Sequence, residues 1–200
     1  MLKLYIPTRG CRRNFTRLMS AVSSRINYSV GNIGHLAKSS VMSTIGGTVL
    51  HAVVACAASS AEGGGLPLTT EYRSRQYAFG AIPENAARRE RHGSEEETLV
   101  SRFIDRAIRP CFPEGYVSEI QVTVTNHAGD GIHDPTTDSV NAASAALLLS
   151  GLPWYGPVGC VRVGCIDGIL VVNPTVSDMT RSTLNLLYAG NADRPVMLVK

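Results

Sequence analysis

Two hundred residues with 44% hydrophobic and 18% charged content can bury one sizeable core, which excludes an intrinsically disordered chain. A net charge of +3 permits binding to nucleic acid or phosphate without requiring it. The most apolar runs, residues 49–58 and 142–149, are too short to cross a bilayer, so no transmembrane segment is expected. The five cysteines (Cys11, Cys56, Cys111, Cys160, Cys165) form neither a CxxC pair nor a Cys/His cluster. That argues against zinc and fits a reducing compartment with mostly buried thiols.

The chain begins with Lys3, Arg9, Arg12, Arg13, Arg17 and Arg25 set among apolar and hydroxyl residues, and no acidic residue precedes Glu62. This is the composition of a mitochondrial presequence, expected over residues 1–24 with cleavage between Met19 and Arg25; a disordered basic tail is the alternative. Residues 26–30 read as a first strand. Residues 41–44 and 49–56 read as a hairpin around Gly46-Gly47. A small-residue loop over 59–65 is followed by a candidate strand over 72–79, in which Arg73 and Arg75 share a face.

The stretch from Pro83 to Pro110 joins an arginine-rich loop to a helix. Ser94 and Glu97 have capping-box spacing, with Glu95, Glu96 and Glu97 at the positive end of the helix dipole. Leu99, Val100, Phe103, Ile104 and Ala107 make an apolar stripe with a period of about 3.6 residues, and Pro110 fits a stop. Arg102, Arg106 and Arg109 fall on another face. Two readings remain open from charge alone: a solvated face with local Glu–Arg and Asp–Arg pairs, or a phosphate-binding surface in which Arg88, Arg89 and Arg91 stand above the helix arginines.

Residues 119–125 alternate as a strand with Ile120, Val122 and Val124 on one face. Asp134-Pro135 starts a buried central helix running to about Ser150. A hairpin over 157–164 and 169–172 turns at Asp167-Gly168. Residues 177–182 read as a short helix or polar loop, and 184–188 and 196–199 as final strands. This order predicts an α+β domain over residues 25–200. Ending in a strand, it reads as truncated at its C-terminal helices.

The catalytic inventory is thin: no GxxxxGK, GxGxxG, HExxH or GxSxG motif occurs. Arg162 and Asp167 read as structural. His92 and His133 read as exposed histidines without chemistry, Trp154 as a packing anchor, and Asp134 and Asp138 as residues of a helix cap.

The segments IPENAARRE, EEETLVSRFIDRAIRPCFPEGY, DPTTDSVNAASAALLLSGLPWYGPVGCVRVGCIDGILVVNPT and STLNLLYAG together resemble the polynucleotide phosphorylase (polyribonucleotide nucleotidyltransferase) family, specifically its first RNase PH-like core domain. The resemblance covers residues 25–200, and PWYGPVG and STLNL are most similar to the animal mitochondrial form. It implies an RNase PH-like fold (ribosomal protein S5 domain 2-like). It also implies a phosphorolytic 3′→5′ exoribonuclease, in which inorganic phosphate attacks the terminal phosphodiester and releases nucleoside diphosphates. The full-length enzyme implied is a mitochondrial homotrimeric ring threaded by single-stranded RNA rather than DNA. It carries a second core domain that holds magnesium and most of the catalysis, and KH and S1 domains.

By the same resemblance, Arg88 and Arg89, with Arg91, would hold RNA at the channel mouth, and Arg102, Arg106 and Arg109 would brace the phosphate surface or the subunit interface. Three departures accompany it. Ala86 and Ala87 replace the bulky residue before the arginine pair, which removes base stacking of roughly 1–3 kcal/mol per base. The GDT of relatives reads Gly46-Gly47-Thr48. Ser177 and Thr183 stand where active domains carry aspartates, and Asp178 is off register. No catalytic residue, metal ligand or cofactor is therefore expected within this chain, which alone should be inactive. A non-catalytic RNA-binding or structural remnant in a mitochondrial assembly is the alternative, and an inactive fragment without a stable fold is a third.

Overall fold

Gly46, with φ of 54°, turns the chain between β3 (Ser39–Ile45) and β4 (Thr48–Ser60), and β2 (Asn27–Val30) pairs antiparallel with β3. The computed structural model describes residues 19–21, 25–60, 65–82, 93–191 and 195–199. The glycine-rich stretch at 61–64, Ala86 to Arg91, His92, Cys11 and the presequence, apart from residues 19–21, lie outside the described residues. β4 continues antiparallel to β6 (Ser118–Ala128), and β5 (Leu68–Ser74) lies parallel to β6, giving the order β2-β3-β4-β6-β5. A parallel neighbour requires a crossover, and α1 (Glu95–Ile108) lies on that connection and packs on β5.

Period-two alternation places Val41, Leu50, Ala52, Val54, Ile120, Val122 and Val124 in the core, all fully buried. The strand expected over 72–79 ends instead at Ser74, and residues 76–79 form a 3-10 turn closed by Gly80 in the left-handed region. Glu97 Oε1 takes the Ser74 N–H at 2.7 Å, and the Ala78 carbonyl accepts from Gly129 N at 2.8 Å, so these partners bend the chain off the ladder. Arg73 consequently pairs with Glu71 at 2.7 Å and does not share a strand face with Arg75.

A second sheet has the order β1-β8-β7-β9-β10, from β1 (Met19–Ala21), β7 (Gly159–Ile166), β8 (Ile169–Val172), β9 (Asn185–Gly190) and β10 (Pro195–Val199). Asp167 and Gly168, at φ of 51° and 78°, make the tight turn between β7 and β8. Met19–Ala21 pairs parallel with β8, so three residues of the stretch read as a leader belong to this sheet. Val176–Met179 forms a short helix, α3. The whole is an α+β arrangement.

Helix α2 (Pro135–Leu149) packs against β3, β4 and β6 of the first sheet, β7 of the second, and α1. Fully buried Ala142, Ala143 and Ala146 allow the close approach. Polar side chains fasten it on both sides. Asn141 donates to the Cys160 carbonyl at 3.1 Å and accepts from Cys160 N at 2.7 Å, and Ser144 Oγ accepts from Val158 N at 3.0 Å. Toward the first sheet, Ser39 Oγ donates to the Ala146 carbonyl and Ser43 Oγ to Asp138 Oδ2, each at 2.7 Å. Trp154 is the packing anchor expected, with Nε1 donating to the Ile108 carbonyl at 3.1 Å.

Several sequence expectations change. On α1 the buried stripe includes Glu97 and Ile108, whereas Leu99 is 46% exposed, because the capping carboxylate turns inward. Cys56 is exposed, while Cys111 and Cys160 are buried. Asp138 is no cap: it lies inside the α2–β3 contact at 1% exposure, and desolvation pushes its carboxyl up to about 6 against the relief of the Ser43 hydrogen bond.

Asp130 behaves oppositely. Its carboxylate accepts from Gly47 N and Thr48 Oγ1 at 3.1 Å, Ile132 N at 2.8 Å, His133 N at 2.9 Å and His133 Nδ1 at 2.6 Å. Burial alone would raise its pKa. The hydrogen bonds overcome this and hold it far below the usual carboxylate range. A Cβ at Gly47 would lie 3.0 Å from Asp130 Cβ, so a side chain there would require Asp130 to give way.

These two carboxylates give stability opposite pH dependences. The raised Asp138 pKa favours the folded state fully below the unfolded value, and that advantage disappears as pH rises to about 6. Asp138→Asn is therefore expected to raise the unfolding free energy at pH 7 by on the order of 2 kcal/mol, and to change it little near pH 4. The depressed Asp130 contributes stability above the unfolded carboxylate pKa and loses it as pH falls. Asp130→Ala should destabilise at pH 7 and progressively less in acid. Urea unfolding across pH 4–7 tests both, and parallel slopes for the two variants would refute the assignment.

Candidate functional site

The N-termini of α1 and α2 open on one cleft of about 420 Å³, lined among others by Tyr72, Arg75, Phe79, Ser94, His133 and Arg162. Glu97 and Asp134 set its shape. Ser94 caps α1 by accepting from Glu97 N at 3.1 Å, and Glu97 Oε2 returns to Ser94 N at 2.7 Å, completing the capping box expected. Glu97 Oε1 simultaneously holds the end of β5, so this one buried carboxylate joins a strand terminus to a helix terminus.

At the other helix, Asp134 accepts from Thr136 N at 3.1 Å and Thr137 Oγ1 at 3.2 Å. It also meets Arg162 of β7 at 3.1 Å, with the two side chains only 15% and 12% exposed. A second, smaller cavity of about 40 Å³ lies beside this pair, between Asp138, Asn141 and Arg162. Asp138 Oδ1 and Arg162 Nε are buried without a hydrogen-bond partner.

Asp134 thus occupies both the helix terminus and the guanidinium that would otherwise receive an anion. A phosphate entering between them must displace a carboxylate. His133, read as exposed, is instead half-buried and held by Asp130, with its ring against Gly46, where a Cβ would come within 2.7 Å. Its neighbour Asp130 went unnoticed in the sequence, although the three-residue spacing was a usable signal. Asp178 is engaged at the start of α3, accepting from Thr175 Oγ1 at 2.7 Å while its N–H donates to the same oxygen. Among the described residues, no three His, Cys, Asp or Glu side chains converge to hold a metal ion. No helix among them is long and apolar enough to cross a membrane.

The arginines of α1 divide. Arg102 and Arg106 are exposed on its outer face. Arg109 is committed to the fold: it meets Asp105 through Nε at 3.0 and 3.1 Å and Nη2 at 2.6 Å, and it donates to the carbonyls of Leu66 at 3.0 Å and Leu68 at 3.1 Å. It therefore braces the start of β5. Arg162 and Asp167 are structural as expected, Asp167 meeting Arg181 at 3.4 Å. Arg88, Arg89 and Arg91 lie outside the described residues, but the segment that carries them leaves the described chain three residues after Phe79 and rejoins it just before Ser94, both of which line the cleft.

Comparison with known proteins now bears on this arrangement. Residues 24–153 match the 3′ exoribonuclease family, domain 1, and residues 156–199 match domain 2 of the same family. The chain is 42% identical over 178 residues to a mitochondrial polyribonucleotide nucleotidyltransferase 2 of Arabidopsis thaliana, covering 88% of this chain and 18% of that protein. It is 45% identical over 174 residues to the polyribonucleotide nucleotidyltransferase of Xanthobacter autotrophicus, covering 86% and 24%. The chain thus spans about a quarter or less of the length of these curated relatives. Two solved structures share the fold. One is an Archaeoglobus fulgidus exosome with RNA bound to the active site, at TM-score 0.68 and 16% identity over 88% of this chain and 77% of that one. The other is rice Rrp46, at TM-score 0.67 and 15% identity over 94% and 84%. With both family domains matched in order along one continuous fold, the chain belongs to the 3′ exoribonuclease family, as an RNase PH-like core similar to that of polyribonucleotide nucleotidyltransferases.

Proposed function

We propose that this chain is the N-terminal core segment of a mitochondrial polyribonucleotide nucleotidyltransferase, and that it guides RNA and builds the ring while a second core domain performs phosphorolysis. The observation that carries this reading is the 42–45% identity to such enzymes over 84–88% of the chain, in both bacterial and plant mitochondrial relatives. In the parent reaction, an oxygen of inorganic phosphate bonds to the phosphorus of the 3′-terminal phosphodiester. The 3′-oxygen of the penultimate nucleotide leaves, and the terminal residue departs as a nucleoside diphosphate. Magnesium would supply charge stabilisation there.

Among the described residues no carboxylate set gathers to hold that metal. Ser177 and Thr183 offer no carboxylate where active domains carry aspartates, and Asp178 is tied to Thr175. The chain's own contribution is positional. Arg88 and Arg89, which lie outside the described residues, would offer planar forks to the RNA backbone. Arg102 and Arg106, exposed on α1, are available to support this surface or a trimer interface.

Incubated with poly(A) and phosphate, the 200-residue chain should release no nucleoside diphosphate. Phosphate-dependent release that Asp178→Asn abolishes would overturn the assignment of chemistry to the second core domain. Replacing Arg88 and Arg89 with alanine should weaken RNA binding and flatten its log–log salt dependence by about 1–1.5. An unchanged slope would reduce these arginines to solvated surface. Residues 1–24 fused to a reporter should direct it into mitochondria, and a reporter left in the cytosol would refute the presequence.

A further inference from the structure

We infer that an ordered water molecule is bound between α2 and β7, donating to Asp138 Oδ1 and accepting from Arg162 Nε. It ties the two matched family domains together and is independent of the RNA-guiding role above. Asp138 and Arg162 both line the cavity of about 40 Å³. Asp138 Oδ1 and Arg162 Nε are buried with no hydrogen-bond partner among the described residues. Asp138 is 1% exposed and the Arg162 side chain 12%. A carboxylate oxygen and a guanidinium N–H are seldom left unpaired in a folded interior.

Each group is anchored by its other atoms. Asp138 Oδ2 accepts from Ser43 Oγ at 2.7 Å, which holds the carboxylate to β3. Arg162 Nη2 meets Asp134 Oδ2 at 3.1 Å, and Arg162 N donates to Asn173 Oδ1 at 2.9 Å. The guanidinium is thus held at its tip and its backbone at the base. Turning Nε toward a different protein acceptor would break the buried pair with Asp134, so a bound molecule is the cheaper partner.

The chemistry of the walls selects the ligand. An anion would satisfy Nε but meet the carboxylates of Asp134 and Asp138, and a cation would satisfy Oδ1 but meet the Arg162 N–H. Water is small, neutral and both donor and acceptor. It needs about 10–15 Å³, which the cavity provides, and typically makes about three hydrogen bonds. Asn141, also on the wall, is a third partner: its amide serves both backbone groups of Cys160 and retains one hydrogen and one lone pair. Residues 24–153 contain α2 and residues 156–199 contain β7, so this water spans the junction of the two family domains. The Asn141–Cys160 and Ser144–Val158 bonds fasten the middle of α2, and the water extends that fastening toward its first turn.

A high-resolution crystal structure of the 200-residue chain tests this directly. It should show a density peak about 2.5–3.2 Å from both Asp138 Oδ1 and Arg162 Nε. No peak, a peak touching only one of them, a direct Asp138–Arg162 contact, or a peak with the short, multiple contacts of a metal ion overturns the inference. In solution, the Arg162 Nε proton should give a rotating-frame cross-peak to water with dipolar sign, not the sign of chemical exchange. Asp138→Asn keeps a carbonyl oxygen on the cavity wall and should retain that cross-peak. Asp138→Leu removes the acceptor and should lose it. A cross-peak that is missing from the wild-type chain, or that survives in folded Asp138→Leu, refutes the bridge. Should Asp138→Leu unfold, the wild-type density and cross-peak decide.

Discussion

The structure depends on the burial of α2 between its two sheets. A helix with no charge after Asp138 has no polar face for water, so nearly all of it is covered, and Leu148 and Leu149 at its end stay half exposed. Small residues let strands approach it closely, and polar side chains then prevent sliding. Asn141 pairs with both backbone groups of Cys160, as a neighbouring strand would, while Ser39 and Ser43 fasten the opposite flank. Each buried polar group left unpaired costs about 1–3 kcal/mol, so this register is strongly preferred over any displaced one. Asp138 is the one member that opposes the arrangement, because its charge is held where water does not reach.

Fixing α2 also fixes its first turn, and with it Asp134 against Arg162 of the second sheet. The same geometry repeats around the cleft. Glu97 satisfies the start of α1 and the end of β5, and Asp130 gathers the loop before α2 onto the β3–β4 turn and holds His133. Carboxylates here do the work that ligand anions do at open helix termini. At the start of α2 an entering anion therefore meets a carboxylate already in place.

Arg109 illustrates why counting charges misleads. Three arginines repeating along α1 have one pattern and two fates: Arg102 and Arg106 face solvent, whereas Arg109 spends its donors on Asp105 and the carbonyls of Leu66 and Leu68. Those two carbonyls lie more than forty residues away in the chain, at the start of a strand whose pairing nothing local specifies.

What the sequence determined by itself was whatever neighbouring residues decide. The Ser94–Glu97 capping box, Asp134 before Pro135, the Asp167-Gly168 turn and the alternation through Ile120, Val122 and Val124 all act over a few residues, where spacing dictates geometry. The family was legible too, because long motifs recur in order. Tertiary structure decided what distant partners compete for. Residues 76–79 left the ladder because Glu97 and Gly129 took the groups that would have continued it. Asp138 became a strained interior acid in place of a cap because β3 closed over it, and His133 was withdrawn from solvent by Asp130. In each case the side chain's local preference was satisfied equally by two environments, and burial against a remote strand or loop chose between them.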